Sequence, residues 1–533
     1  MKKNAIILAA GKSNRLAPFI YERPKGLFRV KNEILIERQI EQLIEAGITD
    51  IYIVVGYMKE KFFYLEQKYP QVRLLINNRF GVKGNLYSLY VAKDYLKNSY
   101  ISYADFYYTE NPFIADNAKV SNQSYHACIY RNGCFNEFSC TSSDAGVITH
   151  VDLGGENQYA LIGHAYFNEA FSSRLRKYLE KEINEFRVSS LFWEEYYFRH
   201  IKELTLYVKE YSTNMILEFN TIDDLRLFDS DFLLNVDSCI INNIVNHFKC
   251  HPNEIVDISV INAGLTNVSF VFSLKGKRYV YRHPGANADN LINRQTEIFS
   301  QLKAVELGID PSVIEINREG WKLSNLILNL TEVDFEKYPW QKKKCFEFLH
   351  KIHAVTPDES VKTFDIINEG KRLMKLACST KGNLFLEFND MLIKLEKLDA
   401  YLKKDSKENG FAWVLSHGDV YEPNFLATEE QQLYLIDWEY SGINDPAHDI
   451  NSILTRYYFS DDDINQYYRE YFGRELTYTE FRHFYAQLPI SSFYWFCWGL
   501  YKGSIGDDDG FFMLQAYRNI IRFLDKSLLM FED

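Results

Sequence analysis

NAIILAAGKSNR (4–15) reads as a buried strand that runs straight into a glycine turn carrying two cations. Residues 4–10 hold no charge, so both faces of the strand need cover, as in a parallel sheet. The chain downstream repeats the theme in DIYIVV (50–55), VRLLI (72–76) and SYISYA (99–104), each a short strand-like run. Between the first two runs, Ile36, Ile40, Leu43 and Ile44 share one helix face, and Gly47 supplies a stop. A second helix is expected over residues 86–96. Strand–helix alternation over residues 4–110 predicts a parallel α/β sheet, whose ligands bind at the carboxyl ends of its strands.

That edge carries the chemistry. A turn at Ala10 and Gly11 lets the backbone approach a triphosphate, with the following N–H groups aimed at its oxygens. Lys12 and Arg15 are placed to neutralise the β and γ phosphates, and RPK (23–25) brings Lys25 toward the α phosphate. Asp105, ending the fourth strand, is a carboxylate suited to Mg²⁺. The set suits attack on an α phosphorus, because the departing pyrophosphate carries the charge that the cations stabilise.

The pattern loosens after about residue 110, regains strands near 159–167 and 204–219, and ends in a helix-like stretch around 223–247. A boundary is expected near residue 232, within ten residues, giving one domain over 1–232 and a second over 250–533. The second opens with VSFVFSL (268–274) and RYVYR (278–282), joined by Lys275-Gly276-Lys277, a hairpin signal. From about 286 onward it reads as mostly helical, interrupted by the strand-like LYLID (433–437).

HGDVYEPN (417–424) and IDWEY (436–440) flank a turn there. Phosphoryl transfer needs a carboxylate to orient the attacking hydroxyl and oxygen ligands for phosphate-bridging Mg²⁺. Asp419 answers the first need, Asn424 and Asp437 the second. AGLTN (263–267), ending at Asn267, precedes the hairpin in place of a longer glycine-rich loop. Arg282 ends the second strand where a kinase has its phosphate-pairing cation, and Glu297 follows on a helix from which it either ion-pairs with Arg282 in the site or makes only a surface pair worth under about 1 kcal/mol. In WFCWGLY (495–501), Trp495, Trp498 and Tyr501 fall three apart on one helix face. Such a face either packs as core or cages a quaternary ammonium, each good ring being worth roughly 0.5–2 kcal/mol.

Composition narrows the partners. The 533 residues are 47% hydrophobic and 25% charged with 12 Pro and 26 Gly, which excludes a disordered or collagen-like chain. With 60 basic and 72 acidic side chains the net charge is -12, so nucleic acid and anionic membrane are not expected partners. No apolar run approaches the roughly 18 residues of a membrane helix, and AIILAA (5–10) behind Lys2 and Lys3 is too short for a signal peptide. Eight Cys include Cys128, Cys134 and Cys140, whose spacing of six matches no common zinc site. A reduced, cytoplasmic protein of open oligomeric state is expected.

LAAGKSNR with the following Pro24-Lys25 resembles the nucleotidyltransferase family of sugar-nucleotide pyrophosphorylases over about 1–230. GNLYSLY (84–90) with Asp105 is most similar to its phosphocholine cytidylyltransferases. The resemblance implies a Rossmann-like domain with Lys12, Arg15 and Lys25 on phosphates, Asn85 and Ser88 near the nucleotide, and Asp105 on the metal. One departure stands out. Where the family has a second metal-binding Asp, LEFNT (217–221) offers Asn220, which implies weaker metal binding or reliance on Glu218.

Residues of about 250–525 resemble the choline/aminoglycoside phosphotransferase superfamily, implying a two-lobed, protein-kinase-like α+β fold. Arg282 in place of Lys, with HPGA (283–286) and INRQTE (292–297), is similar to a choline kinase, and Asp449 in NDPAHDI (444–450) is then expected to buttress the catalytic loop. Tyr440, Trp495 and Trp498 fall where choline kinases carry aromatics, with Glu439 adding charge. Together the resemblances imply a bifunctional transferase, using Mg²⁺, that makes phosphocholine from choline and ATP and CDP-choline from phosphocholine and CTP. Ethanolamine or a sugar as substrate, or a nucleotide-binding N-terminal regulator without catalysis, are the alternatives.

Overall fold

A computed structural model describes residues 2–81, 83–114, 123–261, 267–285, 290–378, 387–506 and 510–532. The chain divides into two compact units, Met1–Ile261 with Phe272–Lys277, and Asn262–Val271 with Arg278–Asp533.

The first unit is built on a seven-stranded sheet. Strand β1 (Asn4–Ala9) is buried along its whole length, as its uncharged sequence requires. It pairs in parallel with β2 (Ile51–Val55), which pairs in turn with β3 (Val72–Ile76). On its other side lies β4 (Ser99–Tyr103), also parallel, with Leu8 level with both Val54 and Tyr103. The Ala104 N–H donates to the Leu8 carbonyl at 3.0 Å, so the turns after β1 and β4 leave the sheet at one edge. Helix α1 (Leu35–Glu45) buries Ile36, Ile40 and Leu43 against this sheet's core.

Three stretches differ from the sequence reading. Helix α2 (Asn85–Val91) stops early and tightens into a 3-10 turn over Lys93–Tyr95. After β5 (Phe106–Tyr108), residues 125–167 form a long antiparallel hairpin, β6 (Tyr125–Ser142) and β7 (Ile148–Phe167), rather than one strand near 159–167. Its register shifts repeatedly, between His126 and Cys128 and again between Arg131 and Cys134, which erases the two-residue alternation that marks a strand in sequence. The stretch 223–247 holds three helices, Ile222–Phe228, Phe232–Asn235 and Cys239–Phe248, the first started by an N-cap hydrogen bond to Thr221 and the third by one to Ser238.

With β8 (Tyr207–Glu210) at its edge, the sheet order is β8-β6-β7-β4-β1-β2-β3. Strand β9 (Ile216–Glu218) pairs antiparallel with β5, setting Glu218 opposite Phe106 and beside the turn that carries Asp105.

Beyond residue 261, β10 (Asn267–Leu274), β11 (Lys277–Pro284), β12 (Val313–Ile316) and β13 (Lys322–Asn325) lie in the order β10-β11-β13-β12. Helix α3 (Arg294–Glu306), capped by Asn293, follows the first pair. The rest is largely helical, including α4 (Pro339–His353), α5 (Ala447–Leu454), α6 (Tyr478–Ser504) and α7 (Gly510–Glu532). Two small pairings brace the segment 414–444: Val414–Ser416 with Gly442–Asn444, and Phe425–Thr428 with Leu433–Leu435. Leu415, Val420, Phe425, Leu435, Trp438 and Ile450 root that segment in the core. No helix of the described residues is long and apolar enough to cross a membrane.

Gly84, at the N-terminus of α2, shows how closely the first unit is packed. A Cβ there meets the carbonyl oxygens of Leu191 at 2.2 Å and Ser190 at 2.5 Å, whereas one on Gly81 meets no atom within 4 Å. Gly84→Ala is expected to destabilise the first unit by about 1–3 kcal/mol, since backbone has to move. Gly81→Ala is the control and should leave thermal unfolding unchanged.

Candidate active sites

A cavity of about 880 Å³ opens at the shared strand edge of the first unit. Ala10, Gly11, Arg15 and Lys25 line it from the two turns, with Asn85, Ser88, Asp105 and Asn220. Lys12 does not line it and lies exposed, its Nζ 5.7 Å from the Tyr57 ring.

Lys25 is only 6% exposed, and its Nζ meets Asp105 Oδ2 at 2.7 Å. Asp105 in turn acts on Glu218, whose carboxyl is pushed up to about 7 by burial and by the neighbouring negative charge. Arg15 Nη2 donates to Asn220 Oδ1 at 3.2 Å. Two carboxylates and an amide oxygen therefore gather beside Arg15 and Lys25, a donor set that fits Mg²⁺. No group of three or more His, Cys, Asp or Glu forms a metal cluster among the described residues.

A second set of bonds fixes the rest of the wall. Asn77 Nδ2 donates to Ser88 Oγ at 3.0 Å. Asn85 donates to the Tyr103 hydroxyl at 2.6 Å and accepts from the Trp193 N–H at 2.8 Å. Tyr103 passes the chain on to Glu194 Oε1 at 2.6 Å. Sequence reasoning missed Glu194, which sits in the first turn of the helix Trp193–Arg199. It is 5% exposed, lines the cavity, leaves Oε2 without a partner, and is pushed up to about 7 by burial. Phe135, Phe138 and Phe192 also line the cavity, and no motif in the sequence marks them.

In the second unit a buried carboxylate organises the catalytic-type loop. Asp449, on α5, accepts from Ser416 Oγ (2.7 Å), the His417 N–H (2.9 Å), the Gly418 N–H (2.8 Å) and His353 Nε2 (2.9 Å). Burial alone pushes its pKa up, yet His353 and the other partners hold it well below the usual carboxylate range. His353, on α4, was not legible as part of this site, because it lies 96 residues away in sequence. Gly418 has φ +85°, and a Cβ on it would lie 2.2 Å from the Tyr440 carbonyl oxygen.

The loop presents Asp419. Its Oδ2 accepts from Asn424 Nδ2 at 3.0 Å, and its Oδ1 accepts from Arg456 Nη2 at 2.9 Å. Burial pushes the Asp419 carboxyl up, against the pull of Arg456. Asn424 spends its N–H on Asp419, which leaves its carbonyl oxygen for a cation. Asp437 follows in a left-handed conformation, φ +68°, and its Oδ1 lies 3.2 Å from Arg282 Nη1. Arg282 also pairs with Glu297, a buried bridge rather than a surface one, and Arg294 supports Glu297 at 2.9 Å. Asn267 donates to Glu439, whose carboxyl is pushed up to about 8 by burial and by Asp437. Residues 263–266 of the AGLTN stretch, and Ala286, lie outside the described residues.

The aromatic residues also come together. Tyr440 and Trp495 meet edge to face at 5.4 Å, Trp495 and Trp498 at 5.9 Å. Trp498 Nε1 donates to the Tyr440 hydroxyl at 2.9 Å. Both tryptophans are 4% exposed, and both carry a protein cation near a ring: Arg456 at 4.7 Å from Trp495 and Lys502 at 5.6 Å from Trp498.

A strand edge lined by a glycine turn, Arg15 and Lys25 in one unit and a kinase-type Asp–Asn–Asp loop in the other define a nucleotidyltransferase joined to a kinase-like phosphotransferase. Comparison with known proteins agrees: residues 5–179 match a MobA-like NTP transferase domain, and residues 257–484 match a phosphotransferase enzyme family. Through its N-terminal portion the chain belongs to the nucleotidyltransferase family of the choline-phosphate cytidylyltransferases. It is 36% identical over 222 residues to the Streptococcus pneumoniae choline-phosphate cytidylyltransferase, covering 95% of that protein and 42% of this chain. A 2-aminoethylphosphonate cytidylyltransferase of Lancefieldella rimae is 32% identical over 235 residues, 94% of its length and 44% of this chain. Protein LicA of Haemophilus influenzae is 24% identical over 301 residues, 86% of its length and 55% of this chain.

The raised pKa of Glu194 makes a stability statement. A carboxyl held near 7 in the fold but near 4.5 when unfolded stabilises the fold below pH 4.5 and loses that contribution as pH rises through 7. Glu194→Gln keeps the shape without the titration. The first unit of the variant should match wild type at pH 5 and be more stable at pH 8 by roughly 1–2 kcal/mol, read by denaturant titration at both pH values.

Proposed function

We propose that this chain makes CDP-choline in two steps, as a choline kinase and a CTP:phosphocholine cytidylyltransferase. The C-terminal domain, over 250–533, transfers the γ-phosphoryl group of ATP to choline. The N-terminal domain, over 1–232, joins phosphocholine to the CMP moiety of CTP and releases pyrophosphate. The observation that carries this reading is a cytidylyltransferase-family domain sharing a chain with a kinase-type loop, so that one product is the other site's nucleophile.

In the kinase, Asp419 orients the choline hydroxyl and takes its proton, held in place through Gly418 and Asp449. Arg282, steadied by Glu297, pairs with the phosphates of ATP. Asn267 braces Glu439 beside them. Asn424 and Asp437 are the residues that would hold Mg²⁺, which supplies neutralising charge between phosphates. Tyr440, Trp495, Trp498 and Glu439 form the acceptor's surroundings.

In the transferase, the turn at Ala10 and Gly11 with Arg15 and Lys25 binds the triphosphate and stabilises charge on departing pyrophosphate. Asn85 and Ser88 face the nucleotide. Asp105, Glu218 and Asn220 would hold the metal. Phe135, Phe138, Phe192 and Glu194 offer the phosphocholine head aromatic faces and a carboxylate. Net charge and the lack of a membrane-crossing helix among the described residues support small-molecule partners in the cytoplasm.

A second reading rests on the Lancefieldella relative, a cytidylyltransferase named for 2-aminoethylphosphonate, a primary amine. It keeps both reactions and replaces choline by ethanolamine. Incubating the protein with ATP, CTP, Mg²⁺ and either alcohol, then weighing the products, separates the two: CDP-choline is expected, and product from ethanolamine alone contradicts the choline reading.

Asp419→Ala is expected to lower choline phosphorylation by at least about 10³-fold while pyrophosphate release from CTP and phosphocholine continues, and Lys25→Ala to do the reverse. Asn220→Asp should tighten the Mg²⁺ requirement of pyrophosphate release by roughly 3–10-fold, because a full charge replaces an amide dipole. Absence of release in both wild type and Asn220→Asp would favour a regulatory nucleotide-binding domain.

A further inference from the structure

Arg456 has no role in the reactions derived above, yet it touches the parts of the kinase site that an acceptor alcohol needs. Its Nη2 donates to Asp419 Oδ1 at 2.9 Å, where the acceptor's hydroxyl has to donate. Its guanidinium carbon lies 4.4 Å from the Tyr421 ring centroid, 4.7 Å from Trp495 and 4.1 Å from Phe512. These are the contacts that aromatic faces make with a cationic head group. A cation on aromatic faces that also donates a proton to Asp419 is the description of choline in the reading above. Arg456 meets it from within the chain.

The placement is fixed from several sides. Phe512 packs edge to face against Trp495 at 5.7 Å and Trp498 at 5.9 Å, so the rings under the guanidinium support one another. Arg456 directly follows Thr455, whose hydroxyl bonds back to the Asn451 carbonyl at 2.8 Å at the end of α5. The same helix carries Asp449, which anchors Gly418. The residue that positions the loop and the residue that covers Asp419 thus sit at opposite ends of one short helix, Asp449 in its first turn and Arg456 just past its last.

We propose that Arg456 is a specificity-determining residue of the kinase site, an internal competitor whose guanidinium must leave the Trp495 and Phe512 faces before a cationic acceptor is seated. The proposal rests on the choline reading of this site. Two like charges on one aromatic surface in a low-dielectric pocket repel strongly, so the acceptor and Arg456 do not share it. The consequence is selective. An acceptor has to bring both a cation for the rings and a hydroxyl for Asp419 to replace both contacts, and an alcohol or ammonium alone replaces one.

The test uses the full chain and two readouts: choline turnover, and binding of tetramethylammonium, which has the head group without the hydroxyl. Arg456→Gln should lower the choline KM and the tetramethylammonium Kd about tenfold, with the KM for ATP unchanged and kcat within about threefold. Arg456→Lys keeps the charge but lacks a planar face for three rings, and should lower both constants by a smaller factor. MgATP binding at the wild-type Kd shows that each variant is folded. If Arg456→Gln does not fold, Arg456→Lys decides. Constants that rise or stay level, or tetramethylammonium binding to neither protein, overturn the proposal. If wild type does not phosphorylate choline while Arg456→Gln still binds tetramethylammonium more tightly, the competition stands and the choline reading falls.

Discussion

Charge withdrawn from water has to be met by opposite charge or by hydrogen bonds, and both sites are assembled around that requirement. Asp449 is the clearest case: fully buried, it collects four donors from two separate parts of the chain, residues 416–418 and His353. Meeting that demand fixes the backbone of residues 416–418, which sets where Asp419 points. Buried Arg282 imposes the same discipline on the sheet lobe, drawing Glu297 from α3 and Asp437 from the loop toward one point. In the transferase, Lys25 and Asp105 solve the problem jointly, and Glu218, left with less compensation, has its ionisation shifted.

The sequence made the framework legible where its signals were local. Short β-branched and apolar runs marked the central strands to within a residue, and parallel pairing then put Gly11 and Asp105 at one edge. The hairpin β6–β7 escaped because its bulges break the alternation that identifies strands, and much of its tip is exposed. The kinase motifs were readable because their spacing follows from one compact loop. His353, Glu194 and Arg456 were not. Each belongs to a site only through tertiary placement, and neither charge pattern nor periodicity separates it from an ordinary helix or turn residue.

The aromatic cluster shows the limit of reading chemistry from residue type. Spacing correctly joined Trp495 and Trp498, and Tyr440 joins them through its hydroxyl. What spacing does not encode is which charge occupies a ring face. Arg456 and Lys502 supply that answer from positions whose significance depends on how α6 packs.

Gly418 constrains how this enzyme can change over generations. Its positive φ and the Tyr440 carbonyl 2.2 Å from a would-be Cβ close that position to any side chain. Lineages seeking a new acceptor therefore cannot remodel the loop from its pivot. Their accessible routes run through the ring-bearing helices and the residue after Thr455, where exchanging one side chain alters the clientele and spares the machinery.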